Sequence, residues 1–266
     1  MKFSIITVNY NNCKGLNDTI QSVIAQTFKD YEYIIIDGGS SDGSLDVLKK
    51  YDSQITYWIS EPDKGVYNAM NKGIAKAHGD YINFMNSGDC FYDSMVLENI
   101  AAQHLIEDLI VGRDYHYDAE TKKGFATILP PRLSMLSFIH NTLPHQSSFF
   151  KRCLFHNKKY DETLQIAADL KFYINQICVE HCSVKLVNLI VCKREPDGIS
   201  WTYNEKRLKE HSSIIREFLP SGAIQDYEVL HLLGKSNMYK LMLLIENCKS
   251  RKWLIYLIKI LYRIYK

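Results

Sequence analysis

Asp37 stands where an unbroken apolar run, Tyr33 to Ile36, gives way to Gly38, Gly39, Ser40, Ser41, Asp42, Gly43 and Ser44. A carboxylate in that place can accept charge-assisted hydrogen bonds from a ring N–H or from sugar hydroxyls. The glycines after it let the backbone turn sharply and approach whatever binds there. Such an edge suits a nucleotide base or ribose; the local alternative is an Asx turn before glycine. Three more polar clusters follow apolar runs: Thr7 and Asn9, then Glu61-Pro62-Asp63-Lys64-Gly65, then Asn86-Ser87-Gly88-Asp89. Further on, His145 and Gln146 precede an apolar stretch. Asp169 opens an apolar-striped helix, where backbone N–H groups and the helix dipole favour an ionised carboxylate. On its own, an Asp in a first helical turn is usually a cap.

The elements that must position these residues follow from periodicity. Three aliphatic residues in a row without alternation predict a strand buried on both faces, as in a parallel sheet. Strands are expected at Phe3–Val8, Tyr33–Ile36, Ile55–Ile59 and Tyr81–Met85. Between them lie helices over Gly15–Gln26, from Leu45, and from Val66 to a stop at His78-Gly79. This alternation predicts a right-handed, mainly parallel sheet over about the first 110 residues. All four polar clusters then sit at carboxyl ends of strands, where open α/β sheets bind ligands. The pattern changes afterwards. Short strands are expected at Leu109–Val111, Tyr115–Tyr117 and Phe125–Leu129, with a polar hairpin connection from Asp118 to Gly124. Another strand is expected at Pro144–Phe150, a helix at Ala167–Cys178 and a last strand at Val184–Val191. Beyond Thr202 only helical patterns remain. The expected division is therefore 1–201, in halves 1–110 and 111–201, followed by helices over 202–266.

Composition narrows the function. The chain has 266 residues, long enough for one large core with an appendage. Its 32 basic and 30 acidic residues hide an asymmetry. Six basic residues and no acidic ones lie between Lys249 and Lys266, so the rest carries a small negative excess. That balance argues against nucleic acid as a partner. Seven cysteines without a Cys-x-x-Cys pair signal neither a disulfide framework nor a zinc ribbon, and fit a reducing compartment. The first residues are too short an apolar run for a signal peptide, so a cytoplasmic body is expected. No Gly-x-Gly-x-x-Gly follows the first strand and no P-loop occurs, which argues against a dinucleotide oxidoreductase and a P-loop ATPase. What remains is nucleotide binding with carboxylates near the phosphates, and that suggests a metal bridge.

Six segments carry a family resemblance: residues 4–12 (Ser-Ile-Ile-Thr-Val-Asn-Tyr-Asn-Asn), 26–44, 60–73, 79–89 (Gly-Asp-Tyr-Ile-Asn-Phe-Met-Asn-Ser-Gly-Asp), 144–150 (Pro-His-Gln-Ser-Ser-Phe-Phe) and 166–172 (Ile-Ala-Ala-Asp-Leu-Lys-Phe). In this order they resemble the family 2 glycosyltransferases, and in particular the branch of bacterial capsule, O-antigen and colanic-acid synthesis. The resemblance covers roughly residues 1–200. It implies an α/β GT-A fold, Rossmann-like, with helices on both faces of a mainly parallel sheet.

By that resemblance Thr7, Asn9 and Asp37 hold the nucleoside of a nucleotide-sugar donor, probed first as a UDP-sugar. Asn86 and Ser87 line the donor site, and Lys64 and Asn68 face its phosphates. For Lys64 the alternative is a solvated loop. Asp89 resembles the last residue of the Asp-x-Asp metal motif and would hold Mg2+ or Mn2+ against the diphosphate. The chain departs from the fuller pattern, because the earlier acidic position is Asn86. Local capping is the alternative for Asp89. His145 and Gln146 would touch a sugar or the metal, or His145 would be a buried structural histidine. Asp169 aligns with the catalytic base and would deprotonate the acceptor hydroxyl. Arg194 with Gly198, Ile199 and Ser200 would form a lid.

The implied reaction is an inverting transfer to a growing, lipid-linked bacterial surface glycan. A sugar nucleotidyltransferase is the enzyme alternative, though Asn9 to Asn12 supply no Gly-rich basic loop. An inactive sugar-nucleotide-binding scaffold is the other. The segment from Trp253 to Tyr265 is apolar with Lys, Arg, Trp and Tyr, and is too short to span a bilayer. It suits a helix lying on the inner face of the cytoplasmic membrane. A core helix or a homodimer contact is the alternative.

Overall fold

The computed structural model describes residues 2–118, 120–194 and 204–235. The chain divides into two compact units, Met1–Ile214 and Ile215–Lys266.

Its first half alternates strand and helix: β1 (Phe3–Asn9), α1 (Cys13–Ile24), β2 (Tyr31–Asp37), α2 (Ser44–Lys50), β3 (Tyr57–Ser60), α3 (Val66–Ile74) and β4 (Tyr81–Phe84). These four strands are parallel, in the order β3-β2-β1-β4. All of β1 is buried, and so is β2 after its first residue. Strands covered on both faces need no polar alternation, which is why their sequences read as continuous apolar runs. On one face Leu16, Ile20 and Val23 of α1 join Phe3, Ile5, Tyr33 and Ile35 in one core. On the other face α3 lies against Ile6 and Ile36. A Cβ on Gly73 would come 2.6 Å from Ile6 Cγ2, so this glycine sets how closely the helix approaches. Each fully buried Ile or Leu contributes about 1.5–3 kcal/mol relative to exposure.

Helix α3 ends at Ile74, short of the expected stop at His78-Gly79. Gly79 serves a different purpose. A Cβ there would stand 2.6 Å from Phe3 C and Ser4 N. The buried Glu32 carboxylate accepts from Ser4 Oγ at 2.5 Å and from the His78 and Gly79 N–H groups at 2.5 and 3.0 Å. Burial alone would raise its pKa, but these bonds outweigh burial and hold it below the usual range.

The second half makes the sheet mixed. It comprises β5 (Cys90–Phe91), α4 (Val96–Ala101), β6 (Leu109–Asp118), β7 (Lys123–Ala126), α5 (Met135–His140), β8 (Ser148–Lys151), α6 (Ala168–Tyr173) and β9 (Val184–Arg194). The strand order is β3-β2-β1-β4-β8-β6-β9-β5, with β7 as a hairpin partner of β6. Strand β8 is antiparallel to β4 and β6, while β9 is parallel to β6. The two short strands expected at 109–117 are one strand carrying register shifts between Val111 and Asp114. The strand expected at 144–150 begins instead as a 3-10 turn, His145–Ser147, before β8. The expected helix at 167–178 is α6 followed by a π turn over Ile174–Val179. Helix α7 (Asn204–Phe218) begins in the first unit, and α8 (Ser221–Lys235) lies in the second.

Candidate active site

The carboxyl ends of β1, β2 and β3 lie side by side, with Asn9 paired to Asp37 and Asp37 to Ser60. Asn9 Nδ2 donates to Asp37 Oδ1 at 2.7 Å and to Ser44 Oγ at 3.0 Å. Asp37 also accepts from Ser40 Oγ at 2.6 Å, Ser40 N at 2.9 Å and Ser60 Oγ at 2.6 Å. Four short bonds saturate the carboxylate, and the residue is 0% exposed. Burial would raise its pKa; the hydrogen bonds from Ser40, Ser60 and Asn9 outweigh that and lower it. Left-handed Gly39 and Gly43 turn the 38–44 loop back over the strand end.

The nucleoside contact expected of Asp37 falls on a carboxylate that accepts four bonds from within the protein. Its side chain ties the floor of the site together, because the serines that follow it fold back and close it off. Thr7, also expected at the nucleoside, is held in a similar way. It too is 0% exposed, and its Oγ1 donates to Met85 O at 2.7 Å with Tyr33 Oη 3.0 Å away. Asn9 Oδ1 remains a buried acceptor without a hydrogen-bond partner among the described residues.

A second cluster forms where β4, β8 and α6 meet. Asn83, buried on β4, donates to Gln146 O at 2.8 Å and to Ser148 O at 3.0 Å. This fixes the turn that carries His145 and Gln146. Gln146 Nε2 then reaches Asp89 Oδ2 at 3.1 Å, and His145 Nε2 lies 3.2 Å from Asn86 Nδ2. His145 Nδ1 is 3.9 Å from Asp169 Oδ2. Tyr67, from α3, donates to Ile166 O at 2.7 Å and lies 3.3 Å from Asp169 Oδ1. Helix α3 and the loop before α6 thus hold the carboxylate from one side and the His145 turn from the other.

Burial pushes the Asp169 carboxyl up to about 6, against hydrogen bonds from the Leu170 N–H and Tyr67 and the more distant Arg194 charge. Burial, then Arg194, push His145 down to about 3, so its ring is neutral at physiological pH. An ionisable carboxyl with a midpoint near 6 is suited to accept a proton near neutrality.

Three participants escaped the sequence reading. Tyr67 is indistinguishable from the apolar stripe of α3. Asp114, in β6, is buried and bonded to Ser147 Oγ at 2.5 Å, and its Oδ2 lies 3.8 Å from Arg194 Nε. Burial raises the Asp114 pKa, against Arg194 and Ser147. Glu210, on α7, accepts from backbone next to Asp169. Tyr67 lies within the 60–73 segment but carries no polar signal there, Asp114 and Glu210 belong to no local motif, and only the packing of distant segments assembles the three. Arg194 was expected in a lid; it ends β9 with its guanidinium toward the Asp114, His145 and Asp169 cluster. Gly198, Ile199 and Ser200 fall outside the described residues.

The remaining expected contacts divide. Ser87 sits at the end of β4, where its carbonyl accepts from Asn12 Nδ2 at 3.1 Å. Lys64 is exposed at the start of α3. Asn68 Oδ1 accepts from Lys64 N at 3.2 Å and its Nδ2 donates to Glu162 at 2.8 Å. Among the described residues no group of three His, Cys, Asp or Glu side chains is arranged to hold a metal ion. Asp89 nevertheless shares a turn with Asn86, whose Oδ1 is a buried acceptor without a hydrogen-bond partner among the described residues. A carboxylate and an amide oxygen fit an ion of the magnesium type, which keeps water and takes its other ligands from a phosphate group.

The strand order and the polar carboxyl edge give the sheet the arrangement of a GT-A fold. Residues 4–159 match the family Glycosyl transferase family 2, and the chain belongs to it. It is 33% identical over 205 residues to an uncharacterized glycosyltransferase of Mycobacterium tuberculosis, covering 74% of this chain and 76% of that protein. It is 29% identical over 212 residues to a PGL/p-HBAD biosynthesis glycosyltransferase of Mycobacterium bovis, covering 77% and 81%. Among solved structures it resembles S. aureus TarS with a TM-score of 0.66 at 18% identity, over 88% of this chain and 43% of that one. A mannosyltransferase of Pyrobaculum calidifontis, solved with GDP-Man and Mn2+, gives 0.61 at 13% identity, over 80% and 62%. These two likenesses concern the fold.

Proposed function

We propose that the chain is an inverting glycosyltransferase that moves a sugar from a nucleotide-diphosphate donor, first of all a UDP-sugar, to a hydroxyl of a growing lipid-linked glycan. The observation that carries this reading is the setting of Asp169. Its carboxylate is 13% exposed, held by Tyr67 and the start of α6, with a midpoint raised by burial to about 6. Near neutral pH it is ionised and basic enough to take the acceptor proton as the hydroxyl attacks the anomeric carbon. Neutral His145 beside it adds no positive charge that would weaken the base. Arg194 directs charge toward the same space, where the departing diphosphate would develop negative charge. In this reading Asn9, Asn86 and Ser87 line the donor site over the floor made by Thr7 and Asp37, and His145 and Gln146 face a sugar. A TarS structure that resembles this chain was solved with UDP-GlcNAc, and that supports trying UDP-sugars first.

Asp89 and Asn86 would hold Mg2+ or Mn2+, and the bound ion would offset charge on the diphosphate. The positive tail, residues 249–266, would place the enzyme on the inner face of the cytoplasmic membrane, next to a lipid-linked acceptor. That tail lies outside the described residues, and among those described no helix is long and apolar enough to cross a membrane. If the chain cut after residue 248 still floats with anionic liposomes as the whole chain does, the tail has no such role.

Release of UDP from a panel of UDP-sugars, with lipid-extract acceptors and with and without Mn2+, tests the main reading. Transfer that survives Asp169→Asn unchanged removes Asp169 as the base. Absence of transfer and hydrolysis from every nucleotide sugar, UDP- and GDP-linked alike, defeats the enzymatic reading.

A further inference from the structure

The loop that delivers Asp169 is held by a residue from a distant part of the chain. Glu210 lies on α7, and its carboxylate accepts three consecutive backbone N–H groups. Gln165 N donates to Oε1 at 3.0 Å; Ile166 N and Ala167 N donate to Oε2 at 2.9 and 3.0 Å. The carbonyl of the middle residue, Ile166, accepts from Tyr67 Oη. Both polar sides of this short backbone stretch are therefore occupied, two residues before Asp169. Lys206, one helical turn before Glu210, donates to Gln165 Oε1. Ile214, one turn after it, is buried, and His211 is drawn by the backbone of Phe138 and Asn141. Residues 206, 210 and 214 recur at i, i+4 and i+8, so one face of α7 makes this attachment.

We propose that Glu210 is a positioning residue for the base: its carboxylate latches the 165–167 backbone and thereby fixes where the Asp169 carboxylate points. The inference rests on the reading of Asp169 as the base. A carboxylate is suited to this task because it offers two acceptor oxygens to a row of N–H groups that β-pairing leaves unused. It also makes the start of α7 part of the catalytic unit, although the family match ends at residue 159. Geometry at the attacking hydroxyl is demanding, and a misplacement of about 1 Å can cost roughly 100-fold in rate.

Glu210→Ala and Glu210→Gln, made in the full chain, test it. Amide hydrogen exchange reads the latch directly, the Asp169 titration followed by carboxyl 13C NMR reads its setting, and UDP release from UDP-glucose, UDP-galactose and UDP-GlcNAc reads turnover. In Glu210→Ala the 165–167 amides should lose protection, and the Asp169 midpoint should fall toward the ordinary carboxylate range as water enters. Turnover should drop by about 10- to 100-fold with donor KM within about 2-fold of wild type. Glu210→Gln keeps one acceptor oxygen and should recover part of each effect. Full amide protection in Glu210→Ala overturns the latch. Lost protection with an unmoved Asp169 midpoint, or with wild-type turnover, overturns its positioning role. Asp169→Asn run alongside separates the two readings: unchanged turnover in that variant removes the base while the latch result stands by itself.

Discussion

Asn9 and Asp37 are register partners on neighbouring parallel strands, and the Asn9 amide donates to the Asp37 carboxylate over 2.7 Å. With Ser40 and Ser60 this makes the floor of the site a closed hydrogen-bond network. Asp37→Ala would take an acceptor from the buried Asn9 amide, which keeps Ser44 Oγ, and from the half-buried Ser40. A lost hydrogen bond to a charged group costs about 1.5–3 kcal/mol, so a loss of about 1–3 kcal/mol is expected. Urea denaturation measures it. A variant as stable as wild type that loses only donor affinity would assign Asp37 a direct donor contact instead.

The same carboxyl makes stability depend on pH. Its folded pKa lies below the unfolded value. Its contribution is therefore present above about pH 4, the ordinary Asp value, and is lost as pH falls through the folded midpoint. Asp37→Ala should flatten the acid side of the stability profile. A wild-type slope in the variant would assign that loss to other carboxylates.

Asp169 has the opposite sign. Its folded midpoint, about 6, lies above the unfolded value, so ionising it disfavours the fold between about pH 4 and 6. Asp169→Asn should therefore be no less stable than wild type at pH 7. Its transfer rate should fall by about 100- to 10,000-fold, the usual contribution of a general base. In wild type kcat/KM should decline as pH drops through about 6. A flat profile from pH 5 to 7 would exclude a base with that midpoint.

Tyr67 lowers the Asp169 midpoint through its hydroxyl. In Tyr67→Phe the acid limb of kcat/KM should move to higher pH. The same change removes a donor to Ile166 O, so kcat should also fall, with donor KM little altered. An unmoved acid limb would show that the 3.3 Å contact does not act on the titration.

Asp89→Ala tests the reduced metal motif. It removes the carboxylate that Gln146 orients, and should raise donor KM and weaken dependence on Mn2+. Calorimetric titration of Mn2+ in the presence of UDP checks the binding directly. Identical Mn2+ binding by the variant and wild type would exclude Asp89 as a ligand.

The first four strands were legible as parallel because fully covered parallel strands must be apolar throughout, and the chain interrupts each run with polar residues at its carboxyl end. The positions of Asn9, Asp37, Asn86 and Asp89 along one edge follow from that alone. Which of them faces a ligand does not. Asp37 and Thr7 are closed off by side chains from Ser40, Ser60 and Tyr33, and sequence periodicity does not encode how a loop folds back. Asp169 could be placed by the order of motifs, but its raised midpoint is a product of burial beside Tyr67 and His145. Asp114 and Glu210 carry no local signal. One is a polar residue inside a strand and the other a charge on a polar helix, and each acquires its role only from backbone or side chains many residues away. Local pattern determined the elements and the edge they share, because helix and strand periods are properties of short windows. Access, protonation and alignment were decided by the tertiary structure, because they depend on what distant segments remove from water.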